Sequence, residues 1–277
     1  MNYRHAYHAG NFADVFKHII LCALTKSFLT KETPFCFLET HGGTGSYDLS
    51  SHAAKKNNES QLGIAKIFAE KQVPPLVEDY LSCVQQLNQA GKLRFYPGSP
   101  YYVRQLIRPQ DRMILCELQR DEYISLKKFF KDDKKMMVQQ QDGYQGLSAF
   151  LPPKERRGLV FIDPPYEKQD ELFSLVTELV KTIQRFETGV YAIWYPIKTR
   201  REINLFHQAI QAKISRTTLV AELSIFPENL ASHLNGCGML IINPPWQLEQ
   251  QLQELLPWLL SKLNVTEGHS QVKLLVP

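Results

Sequence analysis

Long apolar runs are missing from this 277-residue chain. The stretch from Ile19 to Leu24 is its longest uncharged one near the start, far short of the roughly 20 residues that span a bilayer. A small-residue cleavage pattern is missing too, which predicts a cytoplasmic protein with no membrane partner. Cysteine is sparse. Five residues (Cys22, Cys36, Cys83, Cys116, Cys237), odd in number, widely spaced and without a C-x-x-C pair, argue against a disulfide framework and a zinc site. The histidines have no ligand spacing either, so no metal is expected. Charge of one sign is also lacking: a net +4 and pI near 8.7 separate a nucleic-acid binder from an ordinary enzyme only weakly. There is no internal repeat or low-complexity tract. What remains is 44% hydrophobic residues, enough for one large α/β domain or two small ones.

The chain is organised around Gly158-Leu-Val-Phe-Ile-Asp163-Pro164-Pro165-Tyr166. Five apolar residues predict a strand buried on both faces, and two prolines forbid its continuation. Asp163 then stands at a strand's carboxyl end, where open α/β sheets bind ligands. From these four terminal residues alone, a capped strand with a surface turn is an equally good reading.

Around it, β and α patterns alternate. Asn11 is a good N-cap for a helix with an apolar face from Phe12 to Ala23. Asn11, Asp14 and His18, with Lys17 beside them, form a polar stripe whose pattern predicts a solvated face. Pro34 to Glu39 predicts a strand followed by Thr40-His-Gly-Gly-Thr-Gly45, where glycines permit a sharp turn and close approach to a ligand. The next acidic strand end, Glu117, comes much later than the roughly 20 residues expected in a mononucleotide-binding half. The surplus, 48–94, predicts an inserted helical subdomain: a polar linker from Ser50 to Ser60, then helices over Leu62–Lys71 and Leu76–Ala90 split by Pro74-Pro75. In Tyr96-Pro-Gly-Ser99-Pro100, Ser99 fits an N-cap and Pro100 the first helical position.

Further on come a basic helix from Tyr123 to Lys131, whose lysines suit a solvated face, and a strand from Met136 to Gln140 ending near Asp142-Gly143. A helix from Leu172 to Phe186, a strand from Val190 to Tyr195 and the cations Lys198, Arg200 and Arg201 follow. Strands Thr217–Phe226 and Cys237–Ile242 and a helix Leu248–Leu263 end the pattern. The fold predicted is a doubly wound, mostly parallel sheet with a terminal antiparallel hairpin. Its main domain comprises 1–47 and 95–277.

A glycine loop after the first strand, then Glu117, Asp142-Gly143 and Asp163-Pro-Pro-Tyr166 at successive strand ends resemble the Rossmann-like class I S-adenosylmethionine-dependent methyltransferases. More narrowly, Tyr3-Arg-His-x-x-His-Ala-Gly-Asn11-x-Ala-Asp14-Val-x-Lys17-His18, Thr40-His-x-Gly-x-Gly45 and Tyr96-Pro-Gly-Ser-Pro100 resemble the bacterial RlmJ family, 23S ribosomal RNA adenine-N6 methyltransferases. The resemblance spans essentially the whole chain. It implies S-adenosylmethionine as cofactor, S-adenosylhomocysteine as product, and a monomer acting on free 23S RNA or an early assembly particle. By the same resemblance Lys17, His18, His41, Gly43, Gly45, Ser99, Glu117, Asp142, Gly143 and Asp163 line the cofactor pocket. Tyr3, His5, Lys17, Tyr166, Lys198 and Arg200 would face the RNA. Glu39 departs from the aspartate that related enzymes often carry there.

The chemistry implied is specific. An exocyclic adenine amine is a poor nucleophile because its lone pair is delocalised into the ring. Asp163 and the Pro164 carbonyl, each accepting an N–H, would aim that lone pair at the methyl carbon while Tyr166 stacks on the base. The target base must be unstacked to enter. Three rivals share parts of this pattern: a DNA adenine-N6 methyltransferase, a ribosomal RNA guanine-N2 methyltransferase, and a non-catalytic RNA-binding protein. A second tetrapeptide, Asn243-Pro-Pro-Trp246, ends the last predicted strand, which runs antiparallel; it should lie at the opposite sheet edge with a structural role.

Overall fold

The computed structural model describes residues 4–277 except 90, 169, 228–233, 264 and 266. In chain order the elements are α1 (Phe12–Leu29), β1 (Cys36–Glu39), β2 (Ser46–Asp48), α2 (His52–Asn57), α3 (Ile64–Ile67), α4 (Pro75–Leu87) and β3 (Phe95–Pro97). There follow α5 (Ser99–Leu106), β4 (Arg112–Cys116), α6 (Arg120–Phe129), β5 (Met136–Gln139), α7 (Gly143–Phe150), β6 (Gly158–Ile162) and α8 (Glu171–Arg185). The remainder comprises β7 (Val190–Ile197), α9 (Arg200–Lys213), β8 (Thr218–Ser224), β9 (Gly236–Ile242), α10 (Leu248–Leu263) and β10 (His269–Val276).

Eight strands form one sheet in the order β10-β8-β9-β7-β6-β1-β4-β5. Side chains alternate across it. Phe37, Met113, Leu115, Leu159 and Phe161 pack on one face with residues of α1, α4, α5 and α10. Their neighbours Leu38, Ile114, Cys116, Val160 and Ile162 pack on the other with residues of α7, α8 and α9. Burial on both faces is why these strands are continuous apolar runs rather than alternating ones. From β1 the chain moves outward through β4 and β5 and then returns to β6 on the other side of β1. The reversal leaves a crevice at the carboxyl ends of β1 and β6, between Glu39 and Asp163, which is where such sheets bind ligands.

The structure departs from the sequence expectation in several places. The expected terminal hairpin is present, β8 pairing antiparallel with β9, which also runs antiparallel to β7; beyond it the structure adds a further strand, β10, antiparallel to β8. Strand β10 sits at the sheet edge with most of its residues partly exposed, so it carries little of the apolar signal that marks β6. The expected linker at Ser50–Ser60 contains α2, capped by Ser51, whose side chain accepts from the Ala54 amide. A small antiparallel ladder, Ser46–Asp48 with Phe95–Pro97, closes the base of the intervening segment. Asn243 does lie at the sheet edge opposite Asp163, because Ile242 pairs with Tyr191 near the start of β7. Among the described residues no helix is long and apolar enough to cross a membrane, and no group of three or more His, Cys, Asp or Glu could hold a metal ion.

Candidate active site

Helix α1 brings its polar residues into the site. The expected solvated stripe is buried: Asn11, Asp14, Lys17 and His18 are all under 7% exposed, covered by Glu59, by His5, by Asp163 after β6 and by Tyr96 respectively. Asn11 Oδ1 accepts from the Asp14 amide and so caps the helix. Lys17 Nζ then lies 2.8 Å from Asp14 Oδ1 and 2.6 Å from Asp163 Oδ2. The other Asp14 oxygen accepts from the Gly10 amide at 2.8 Å and sits 2.9 Å from His5 Nε2. Burial would raise the Asp14 carboxyl, but the charges of His5 and Lys17 and the His5 hydrogen bond outweigh it and hold the group well below the ordinary range. A continuous chain of polar contacts therefore runs from the N-terminal segment to the carboxylate at the end of β6.

Asp163, Pro164 and Pro165 form the wall between two adjoining hollows, and Tyr166 lines the larger one. The larger, about 1070 Å3, is lined by His5, Lys17, Asp163, Trp194 and Lys198 among others. Tyr166 adopts a left-handed backbone (φ 50°), its hydroxyl donates to the Trp194 carbonyl at 2.5 Å, and the two rings lie 5.8 Å apart. The Lys17 ammonium stands 5.5 Å from the Trp194 ring centre. Two aromatic surfaces and a fixed cation thus flank the carboxylate.

The second hollow is a narrow crevice lined by His18, His41, Gly43, Ser99 and Glu117 together with Asp163. Gly43 has φ +61°, and a Cβ there would come 2.3 Å from the Tyr47 hydroxyl, so the loop depends on glycine. Its amide donates to Glu117 Oε2 at 2.9 Å, and the Gln119 amide donates to Oε1 at 2.7 Å. Burial still pushes Glu117 up to about 7. His41 is brought down to about 4 by burial and is neutral at physiological pH; His18, held well below its ordinary value by the same cause, bonds through Nδ1 to the Tyr96 hydroxyl at 2.9 Å. Ser99 Oγ donates to Glu39 Oε1, while Glu39 Oε2 is buried without a hydrogen-bond partner. Burial raises that carboxyl well above its usual value.

Other expected site residues stand elsewhere. Gly45 (φ +84°) faces Phe129 and Leu126 of α6 rather than either hollow. Asp142 caps α7, its Oδ1 accepting from the amides of Tyr144 and Gln145, and Gly143 is pressed against the Thr40 carbonyl, 2.3 Å from where a Cβ would sit. Neither lines the crevice. Arg200 turns inward, its Nη1 2.7 Å from Glu222 Oε2, which the neighbouring Lys198 does not do. Tyr3 lies outside the described residues. Sequence reasoning missed Trp194, hidden within an apolar strand, and Glu59, which binds His8 Nδ1 at 2.8 Å and the Asn11 side chain at 3.0 Å from about fifty residues away. It also missed Gly42 and Gln119, which line the crevice beside residues that it did select.

Comparison with known proteins adds a family. The model of the family described as Ribosomal RNA large subunit methyltransferase D, RlmJ, matches residues 32–276. A protein of Escherichia coli strain K12 named Ribosomal RNA large subunit methyltransferase J is 41% identical over 278 aligned residues, covering 100% of this chain and 99% of its own length. Its namesake from Haemophilus influenzae is 42% identical, with 97% and 95% covered. Among solved structures, protein LPL1258 of Legionella pneumophila superposes with a TM-score of 0.90 at 36% identity, covering 96% of this chain and 98% of that one. A probable spermidine synthase from Corynebacterium glutamicum, at 10% identity and a TM-score of 0.52 over 98% of this chain and 77% of that one, shares the fold alone.

Proposed function

The chain belongs to the RlmJ family of ribosomal RNA large-subunit methyltransferases, and on that premise we propose that it moves a methyl group from S-adenosylmethionine to the N6 amine of an adenine in 23S ribosomal RNA. The observation that carries this reading is the Asp163-Pro-Pro-Tyr166 turn at the switch of strand order, with the carboxylate held 2.6 Å from Lys17. Lys17 occupies Oδ2, so Oδ1 and the Pro164 carbonyl are the pair that accepts the two N–H groups of the amine. Holding them fixes the lone pair toward the crevice, and a preoriented acceptor pair costs no reorganisation during the reaction. Aromatic surface from Tyr166 and Trp194 suits a base drawn out of its stack, and Lys198 suits the backbone beside it.

The crevice fits the cofactor. Glu117, with each oxygen anchored by one backbone amide, can accept both ribose hydroxyls. Ser99, which lines the crevice, suits the polar methionine part, and the glycine at 43 leaves the backbone open to close approach. When bound, the cofactor supplies an electrophilic methyl on sulfonium; no metal is needed for that transfer. We place the enzyme in the cytoplasm as a monomer, with residues 48–94 as an inserted subdomain whose Glu59 steadies the N-terminal segment over the cleft.

The test is direct. Purified protein, labelled S-adenosylmethionine and unmodified 23S RNA are incubated and the nucleosides resolved by mass spectrometry. N6-methyladenosine is expected, and the Asp163→Ala protein should form it at least about 100-fold more slowly, since two acceptor bonds to the amine share the orienting role. N2-methylguanosine, or methylation of duplex DNA in preference to RNA, would reassign the acceptor.

A further inference from the structure

At the sheet edge opposite Asp163, a cleft of about 950 Å3 lies between the end of α1 and the Asn243-Pro-Pro-Trp246 turn. Its charge is one-sided: Lys26, Lys31, Arg156 and Arg157 line it, and none of its described lining residues is acidic. Two of these cations are committed locally, Lys26 to Asp79 at 2.7 Å and Arg157 to the carbonyls of Thr33 and Phe28. Lys31 and Arg156 are exposed at the cleft. Over it stands Trp246, 87% exposed, the largest exposure of any big apolar side chain described.

The ring is held out by rigid backbone. Asn243 (φ 54°) donates through Nδ2 to the Glu187 and Gly189 carbonyls, two prolines follow, and Gln247 (φ 69°) turns the chain into α10. Arg156 has φ 53°. Three of the five non-glycine residues with left-handed backbone among those described therefore flank this cleft, and a fourth is Tyr166 at the candidate active site. Such conformations persist where surrounding structure enforces them and gather at binding sites.

We propose that this cleft is a second RNA-binding surface, in which Trp246 stacks on an unpaired base while Lys31 and Arg156 meet the flanking phosphates. A rigid exposed ring beside unopposed cations is the arrangement that binds single-stranded nucleic acid without reading its sequence. It lies a sheet-width from Asp163: β9, seven residues long, spans about 23 Å at ~3.3 Å per residue. A substrate held at both edges would have its methylated segment and a neighbouring unpaired segment on opposite sides of the sheet. The inference rests on ribosomal RNA being the substrate class.

The experiment measures anisotropy of a labelled fragment of large-subunit ribosomal RNA against the full-length protein, its Trp246→Ala variant and a Lys31→Ala/Arg156→Ala double variant, over a range of salt. Trp246→Ala should weaken RNA binding about ten-fold or more, the size of one lost base stack. The double variant should flatten the slope of log affinity against log salt by about 1.4, or ~0.7 per cation. S-adenosylmethionine affinity, melting temperature and single-turnover rate at saturating RNA should stay at parental values. Equal RNA affinity and salt slope in all three proteins would overturn the second surface alone, and failure of RNA to bind the parent protein would overturn the substrate class with it. Loss of self-association in Trp246→Ala at unchanged RNA affinity, seen by sedimentation, would make the cleft a protein interface and overturn the proposal.

Discussion

Lys17 is the residue on which the candidate site balances. It lies between two carboxylates, Asp14 and Asp163, and is itself almost fully buried. Removing the ammonium leaves the buried Asp14 carboxylate facing a half-buried Asp163 with no cation between them, a change that costs about 3 kcal/mol by analogy with a broken buried pair. Lys17→Met should therefore lower the melting temperature and cut single-turnover methylation at least about 100-fold. Glu117 offers a second test with a definite sign. Its carboxyl, raised to about 7 by burial, holds its proton more tightly in the folded than in the unfolded chain. The stability it contributes is complete below about 4.5 and is lost as pH climbs through about 7. Gln imitates the protonated form at every pH, so the melting temperature of Glu117→Gln relative to the parent should rise between pH 5 and pH 8. A constant difference would show that the carboxyl is not displaced.

The elements turn these residues into a site by where they stop. Strand β6 ends because prolines at 164 and 165 cannot extend it, and that ending delivers Asp163 to the crevice. Strand β9 ends in nearly the same letters, yet its direction carries Asn243 to the far edge, where the side chain binds two carbonyls of the turn before β7. Asn243→Ala should cost about 0.5–1.5 kcal/mol in chemical denaturation, the net worth of hydrogen bonds that water can partly replace. Single-turnover methylation should hardly change. A loss comparable to that of Asp163→Ala in a folded protein would mean that the two tetrapeptides had been assigned to the wrong edges.

At the scale of the whole molecule, distant parts of the chain meet over the cleft. Glu59, from the segment between β2 and β3, binds His8 and Asn11, and His5 binds Asp14, so the N-terminal segment is tied from both sides. His8 is raised above its ordinary value by its hydrogen bond to Glu59, so the tie is strongest below pH 6.5 and weakens as pH passes the raised value. Both partners are partly exposed, which limits its worth to about 1 kcal/mol or less. In Glu59→Ala, hydrogen exchange over residues 5–11 should accelerate several-fold while β6 keeps its protection; equal exchange in both proteins would show that the segment is held by other contacts.

Strand positions, the acidic strand ends and the Asp163-Pro-Pro-Tyr166 turn were legible in the sequence, because double-sided burial writes a continuous apolar run and proline stops it whatever lies around. The polar face of α1 was not. Asn11, Asp14, Lys17 and His18 have the spacing of a solvated stripe, and only partners from distant segments, Glu59, His5, Asp163 and Tyr96, turned them into a buried network. The same limit hid β10, an edge strand with one partner, and the contacts of Trp194 and Glu59. The inward turn of Arg200 toward Glu222 was equally invisible. Local pattern reports what a residue's own backbone and burial demand; which charges come to face each other depends on segments far apart in sequence, and that is decided only when the sheet is assembled.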